Sequence, residues 1–195
     1  MIKRVEVQYR GVYQKTLGKY IGGDIVQIAS RMGKVAFSNG RYSDAPERNG
    51  IPCKYFAFVS PDLSEAELEA ECGSSYNADN VDVSVVVDDA MAQGVEPWGW
   101  HGIRPVNELV GHKACLLVVT RRNHEHLLKF TAKKPQPYRL ATLEGDASLA
   151  GMWVFKDDLT RERCLGAVAA VDPGIISIEA VEEYLLDTGK DADRA

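Results

Sequence analysis

The amino-acid sequence predicts an α/β protein, a three-layer domain with a largely parallel, Rossmann-like central sheet. Segments with the two-residue periodicity of strands alternate along the chain with segments of helical periodicity. Two predicted strands, 81–87 and 114–120, are almost wholly apolar, as expected of strands buried on both faces of a parallel sheet. The 195 residues suffice for one domain. We therefore expect a single domain over 1–187 and a frayed tail over 188–195.

The first strand and helix follow from periodicity. Apolar and polar residues alternate over 2–9, which predicts a strand, and residues 10–21 are interpreted as a long connection. Gly22-Gly23 then precedes a predicted helix with one apolar stripe. The stripe consists of residues at helical spacing: Ile25, Ile28, Ala29, Met32, Val35 and Ala36.

The later elements are shorter. Asn39-Gly40 is expected to end the first helix, and a loop is expected over 41–52. Ser64 and Glu67 have the spacing of a capping box, which places a helix start there. The remaining predictions are strands over 53–59, 81–87, 114–120 and 138–143, and helices over 64–72, 123–130, 161–171 and 177–187.

Composition excludes several classes of protein. The chain has 23 Lys and Arg against 28 Asp and Glu, a net charge of −5, without a basic block. We therefore expect no nucleic-acid partner. The N-terminus is interpreted as a strand instead of a signal peptide, and no apolar stretch approaches the roughly 20 residues that span a bilayer. No membrane partner is expected.

The four cysteines show no C-x-x-C spacing, so the sequence carries no local zinc or iron–sulfur signature. Cys53, Cys115 and Cys164 lie in apolar runs and are expected to be buried as small hydrophobic residues. Reduced thiols of this kind indicate a cytoplasmic protein.

The first candidate site is the glycine pair. Gly22-Gly23 before a helix is compatible with a phosphate-binding turn, because a helix N-terminus attracts anions. The pair lacks the G-x-G-x-x-G spacing, and Asp24 can cap the helix itself. A structural turn is therefore favoured over a phosphate cradle.

Two further candidates carry charged side chains. Arg48, beside Asn49-Gly50 in the predicted loop, could present its guanidinium to a phosphate or carboxylate, although composition alone favours an ordinary solvated loop. Asp88-Asp89 ends a buried strand, a position where carboxylates often serve a site. A loop start or a helix cap is the commoner role for such a pair.

Two other patterns have simpler interpretations. His124 and His126 lie two apart on a predicted helix and so point about 200° apart, which argues against a shared metal. Trp98 and Trp100, in the predicted loop over 94–107, have the composition of an interface anchor, with packing onto their own domain as the alternative. We find no nucleophile elbow, Walker motif or H-E-x-x-H, and no autonomous active site.

Seven segments, in order along the chain, resemble parts of one known family. The segments are 5–11, 22–26, 38–42, 47–52, 81–88, and 164–167 together with 175–182. They resemble the opening strand, glycine-rich turn, first-helix end, Arg-Gly loop, central strand and closing helices of the gamma subunit, or gamma domain, of the thiamine-diphosphate-dependent 2-oxoacid:acceptor (ferredoxin or NAD) oxidoreductases. About ten inserted residues split the family's glycine turn, and its glutamine and last glycine are here Asp24 and Ile25.

The resemblance implies a non-catalytic gamma subunit of a multi-subunit oxidoreductase of anaerobic metabolism. Such a complex oxidatively decarboxylates a 2-oxoacid (pyruvate, 2-oxoglutarate or an aromatic 2-oxoacid such as phenylglyoxylate or indolepyruvate) to its acyl-CoA. Electrons pass through [4Fe–4S] clusters to ferredoxin or NAD.

The partners implied are the alpha, beta and ferredoxin-like subunits of the same complex. Thiamine diphosphate, [4Fe–4S] clusters and CoA belong to the complex, and none is expected to be bound by this chain alone. The residues expected to face a cofactor are Gly22, Gly23, Arg48, Asn49 and Gly50. Two alternatives stay open: a stand-alone α/β binding or scaffold protein without a redox role, and a small nucleotide-dependent enzyme that uses the first strand–helix junction.

Overall fold

The computed structural model describes residues 1–41, 52–72, 78–93, 95–98, 102–145 and 159–189. The elements in chain order are β1 (Lys3–Arg10), α1 (Gly11–Arg31), β2 (Val35–Arg41), β3 (Pro52–Ser60), α2 (Glu65–Cys72), β4 (Val81–Val86), a 3-10 helix (Asp89–Gln93), β5 (Val95–Trp98), β6 (Gly102–Pro105), β7 (Val110–Val119), α3 (His124–Leu128), β8 (Arg139–Leu143), α4 (Thr160–Val171) and α5 (Ile178–Asp187).

The main sheet has six strands in the order β2-β3-β1-β4-β7-β8. The pairs β1–β4, β4–β7 and β7–β8 are parallel, and β3 runs antiparallel to both of its neighbours. Helices cover both faces: α1, α4 and α5 pack on one, and α2, α3 and the 3-10 helix pack on the other. The predicted three-layer α/β fold with a mostly parallel sheet is confirmed.

Apolar and polar side chains alternate along β1 and therefore point to opposite faces of the sheet. Val5, Val7 and Tyr9 point into the larger apolar core beneath α1, α4 and α5. Glu6 and Gln8 point to the opposite face and are also fully buried. Successive side chains of a strand point to opposite faces, so a central strand covered on both sides buries its polar residues as well.

The predicted start of the first helix is wrong. α1 begins at Gly11, where φ is +70°, and covers the stretch interpreted as a connection. The helical stripe in fact extends backwards through that stretch, since its first buried members are Gln14, Leu17 and Ile21. Tertiary packing of this stripe outweighs the cost of about 1 kcal/mol for each glycine inside a helix.

The predicted end of that helix is also wrong. α1 ends at Arg31, and Gly33 follows with φ +74°, a conformation that glycine adopts without strain. The chain then forms β2, in which Asn39 and Gly40 pair with residues of β3 instead of ending a helix. The Phe37 ring of β2 stacks on a phenylalanine of β3, and this packing selects the strand.

The tryptophan segment contains a hairpin where a loop was predicted. β5 and β6 form a two-stranded antiparallel sheet in which Val95 pairs with Pro105 and Trp98 pairs with Gly102. Trp100 lies outside the described residues, so the interface-anchor prediction stays a prediction. Strand formation here depends on cross-strand pairing, which a local pattern with prolines does not show.

The other predicted elements are confirmed, and their ends agree within one residue except at the start of β7, which comes four residues earlier, and at the end of α3, which comes two residues earlier. Ser64 accepts a hydrogen bond from the backbone N–H of Glu67 at 3.4 Å, and the Glu67 carboxylate accepts from the backbone N–H of Ser64 at 2.8 Å, which completes the capping box. Asn123 caps α3 through the backbone N–H of His126 at 2.9 Å. All four cysteines are buried and free, as predicted for three of them. None of the helices in the described part of the chain combines the length and apolar character needed to span a bilayer.

Candidate functional site

The parallel strands β1, β4 and β7 bring polar side chains together at their carboxyl ends. Arg10 ends β1, Asp88 and Asp89 follow β4, and Thr120 and Arg122 follow β7. Ligands of α/β proteins bind beyond this edge of the sheet, where helix N-termini and strand ends converge. We take this carboxyl edge as the candidate functional site.

Asp88 joins the end of β4 to the first turn of α1. Its carboxylate accepts hydrogen bonds from Nε2 of Gln14 and from the backbone N–H of Ala90, each at 2.9 Å. The Gln14 carbonyl in turn accepts from the backbone N–H of Arg10 at 2.7 Å. Burial raises the pKa of the Asp88 carboxyl, against the opposing effect of these two hydrogen bonds. The pair therefore holds the first strand–helix junction in place over β4.

Asp89 begins a chain of contacts that leads from the interior to the surface. The carboxyl oxygen Oδ2 accepts from the Thr120 hydroxyl at 2.8 Å and from Nε of Arg122 at 3.2 Å. The other carboxyl oxygen, Oδ1, is buried with no hydrogen-bond partner among the described residues. Nη1 of Arg122 lies 3.1 Å from Nε2 of His126, whose ring lies 5.2 Å from that of Phe130. The edge thus connects a buried carboxylate to an exposed aromatic ring.

Asp24 forms an ion pair within the helical layer instead of capping a helix, so its predicted capping role is wrong. Arg161 of α4 donates from Nε and Nη2 to the Asp24 carboxylate, both at 2.5 Å. The Tyr184 hydroxyl of α5 donates to the same carboxylate at 2.6 Å. Burial and this hydrogen bond raise the pKa of Tyr184 to about 12. The cluster fastens α1, α4 and α5 to one another.

The predicted glycine turn is wrong as local structure. Gly22 and Gly23 lie inside α1, more than two helical turns from the junction at Gly11. A Cβ at Gly22 would come within 2.6 Å of the Tyr55 ring, so this glycine allows α1 to approach β3 closely. Backbone N–H groups inside a helix are bonded within the helix, so the pair does not fit a phosphate cradle.

The other predicted cofactor-facing residues, Arg48, Asn49 and Gly50, lie outside the described residues and stay predictions. The two histidines diverge as helix geometry predicts. His124 lies 3.3 Å from the Thr142 hydroxyl, whereas His126 contacts Arg122. In the described ranges, no three His, Cys, Asp or Glu side chains are grouped as metal ligands.

A buried polar cluster on the second face of the sheet escaped the sequence analysis. The Glu6 carboxylate lies 2.5 Å from Nζ of Lys54 and accepts from Oγ of Ser84 at 2.7 Å and Nε2 of Gln8 at 2.9 Å. Gln8 also donates to the backbone carbonyl of Val106 at 2.6 Å. The cluster joins β1, β3, β4 and the segment after β6. In the sequence, the signal for this cluster is the pair Glu6 and Gln8 in β1. These polar residues are recognisable as buried only when the sheet order shows that β1 is a central strand.

A cleft of about 470 Å³ opens at the opposite, amino edge of the sheet. Asp82, Glu108, His112 and Lys134 are among its lining residues. Burial lowers the pKa of the Lys134 amino group, while the nearby carboxylates of Glu108 and Glu6 act to raise it. Nζ of Lys134 donates to the Glu108 backbone carbonyl. The lysine is therefore used to close the loop that follows α3.

The fold and this edge define an α/β domain that positions polar groups at the carboxyl ends of its strands, without a complete catalytic set among the described residues. No family model matches the chain. The common gamma subunit of the pyruvate/ketoisovalerate oxidoreductases of Thermococcus litoralis is 27% identical over 172 residues, which cover 86% of this chain and 81% of that subunit. This similarity confirms the resemblance to the gamma subunits of the 2-oxoacid oxidoreductases.

Solved structures show the same fold. The pyruvate oxidoreductase subunit PORC of Thermotoga maritima superposes with a TM-score of 0.62 at 18% identity, covering 99% of this chain and 88% of that one. The gamma subunit of a keto/oxoacid ferredoxin oxidoreductase from Geobacter sulfurreducens gives a TM-score of 0.57 at 17% identity, covering 100% and 89%. The 2-oxoglutarate:ferredoxin oxidoreductase of Magnetococcus marinus gives 0.50 at 13% identity, and this chain spans 27% of its length.

Proposed function

We propose that this chain is the gamma subunit of a multi-subunit 2-oxoacid oxidoreductase. One observation carries the proposal: the similarity to a separate gamma chain extends over 86% of this sequence, and the fold matches such chains nearly end to end. The complex would oxidatively decarboxylate pyruvate, 2-oxoglutarate or an aromatic 2-oxoacid to the acyl-CoA, with electrons passing to ferredoxin or NAD. We expect it in the cytoplasm.

We further propose that the chemistry is carried by partner chains. In this proposal, the alpha, beta and ferredoxin-like subunits bind thiamine diphosphate and the [4Fe–4S] clusters. The cysteines of this chain support that division, because Cys53, Cys72, Cys115 and Cys164 are distributed over four elements and packed among apolar side chains. Burial also raises the pKa of the Cys115 thiol, which disfavours the thiolate that ligates iron.

CoA is the cofactor for which the sequence offered residues in this chain. The interior position of Gly22 and Gly23 in α1 does not suit a backbone phosphate cradle, which also removes the turn invoked for a nucleotide-dependent enzyme. Arg48, Asn49 and Gly50 remain the proposed CoA-facing set. A guanidinium carries the positive charge and the planar fork of N–H donors that a phosphate group requires.

Native purification through an affinity tag on this chain tests the proposal. We expect larger subunits to co-purify, with the absorption of iron–sulfur clusters and with reduction of an electron acceptor that requires both CoA and a 2-oxoacid. An untagged strain taken through the same column provides the background. Recovery of this chain only as a monomer or homo-oligomer would contradict the proposal and favour the stand-alone scaffold protein.

A further inference from the structure

One part of the described surface combines basic side chains with exposed apolar ones. We infer that α3 and the residues around it dock an acidic surface of another protein chain. The inference depends on the proposed function, which supplies partner chains. The α3 surface is defined by six side chains: Arg121, Arg122, Leu128, Lys129, Phe130 and Lys133.

Charge is the first observation. Residues 121–134 contain five Lys and Arg and one acidic residue, Glu125. Removing them from the 23 basic and 28 acidic residues of the whole chain leaves 18 and 27. Within the α3 surface itself, the four basic side chains are offset by two carboxylates, Glu125 and the Asp89 that pairs with Arg122, so an excess of two positive charges remains. Such an excess on an acidic protein attracts a negatively charged partner and repels positively charged ones.

Apolar exposure is the second observation. Leu128 is 54% exposed and Phe130 is 37% exposed, so two of the six large exposed hydrophobic side chains in the described residues lie two positions apart. Single exposed leucines are ordinary on protein surfaces. A leucine and an aromatic ring surrounded by arginine and lysine instead match the apolar centre and polar rim of a protein–protein interface.

The α3 surface is also held in position. Leu127 is fully buried beneath it, and Asn123 caps the short helix. Arg122 is anchored to the buried carboxylate of Asp89, and the His126 ring packs against that of Phe130. Side chains that are already ordered lose less conformational entropy on binding, so such a surface suits docking.

The occupant follows from the same features. A small phosphate ligand would use the basic groups but leave Leu128 and Phe130 in water. A second copy of this chain could offer α2, whose exposed face carries Glu65, Glu67, Glu69 and Glu71. Two copies could form such a contact twice in a symmetric dimer, and that arrangement is one outcome of the test below. Because the proposed function supplies other chains in permanent contact with this one, we infer that the occupant is an acidic surface of a different chain of the complex.

Zero-length carbodiimide cross-linking of the tagged, purified complex tests this inference, because the reagent joins a lysine only to a carboxylate in contact with it. We expect Lys129 and Lys133 to link to Asp or Glu of a partner subunit. Lys19 and Lys113, exposed on other parts of the chain, are the internal controls. We also expect the double charge reversal Lys129→Glu with Lys133→Glu to reduce co-purifying partner about tenfold at low salt. The matched double reversal Lys19→Glu with Lys113→Glu should leave that yield unchanged.

The possible outcomes distinguish a failure of this inference from a failure of the proposed function. A complex with all its subunits, no cross-links at Lys129 or Lys133, and unaltered assembly of their variant would overturn the docking surface and leave the proposed function intact. Links to a second copy of this chain would assign the surface to self-association. If free CoA protected Lys129 against chemical acetylation and no such links formed, the α3 surface would be assigned to a small anion. Failure to recover any complex would overturn both proposals.

Discussion

Replacing Lys54 with methionine should strongly destabilise the fold. Its Nζ lies 2.5 Å from the carboxylate of Glu6, which is fully buried. Without the ammonium, the donors left to that carboxylate in the described part of the chain are neutral, Ser84 at 2.7 Å and Gln8 at 2.9 Å. Removing one partner of a buried ion pair costs about 3–5 kcal/mol in the free energy of unfolding.

Two companion variants provide a comparison for the loss of unfolding free energy expected in Lys54→Met. Ser84→Ala removes one hydrogen bond to the charged group, which is worth about 1.5–3 kcal/mol, so it should destabilise less than Lys54→Met. Glu6→Gln added to Lys54→Met removes the uncompensated charge and should recover a substantial part of the loss. Lys113→Met, on an exposed lysine, is the control and should stay within about 0.5 kcal/mol of the wild type.

Urea denaturation of the full-length chain measures these free energies. In thermal unfolding, the same Lys54→Met loss corresponds to a lower Tm by roughly 6–20 °C for a domain of this size. A Lys54→Met variant within about 1 kcal/mol of the wild type would refute the reasoning. So would a Ser84→Ala variant less stable than Lys54→Met, because the ammonium would then not be the main partner of the Glu6 carboxylate.

Two other predictions concern the helical layer. Gly22→Ala should destabilise by about 1–3 kcal/mol, because its Cβ would lie 2.6 Å from the Tyr55 ring, whereas Gly23→Ala meets nothing within 4 Å and should stabilise by about 0.5–1 kcal/mol. Equal effects in urea denaturation would contradict the close approach at Gly22. Tyr184, with a pKa raised to about 12, keeps its proton in the folded state while an unfolded tyrosine loses it near pH 10, so this stability is present below pH 10 and is lost as the pH rises towards 12. Ultraviolet absorbance should show one tyrosine titrating late, and Tyr184→Phe should abolish that late titration without removing the others.

The candidate edge was only partly accessible to sequence analysis. Asp88 and Asp89 were recognised because they follow a continuous apolar run, which is a local signal. Their partners Gln14 and Arg122 come from other elements, 74 and 33 residues away in the chain. Which of them meet depends on the strand order β1-β4-β7, which local periodicity does not contain.

The sequence by itself determined the α/β class, the buried parallel strands, the caps at Ser64 and Asn123, and the resemblance to the gamma subunits. Each of these is encoded in neighbouring residues, through alternation, helical spacing or a side chain that reaches its own backbone. The order of the predicted strands and helices along the chain is also correct, although α1 starts earlier than predicted.

Only the tertiary structure decided where α1 begins, that 35–41 is a strand, and that Glu6 and Gln8 are buried together. Each outcome depends on contacts between residues distant in the chain: the stripe of α1 against the sheet, Phe37 against Phe58, and Lys54 beside Glu6. Burial across such contacts outweighs the roughly 1 kcal/mol of local preference at a glycine or a polar position. That is why a glycine pair that signals a turn in the sequence lies inside a helix in the fold.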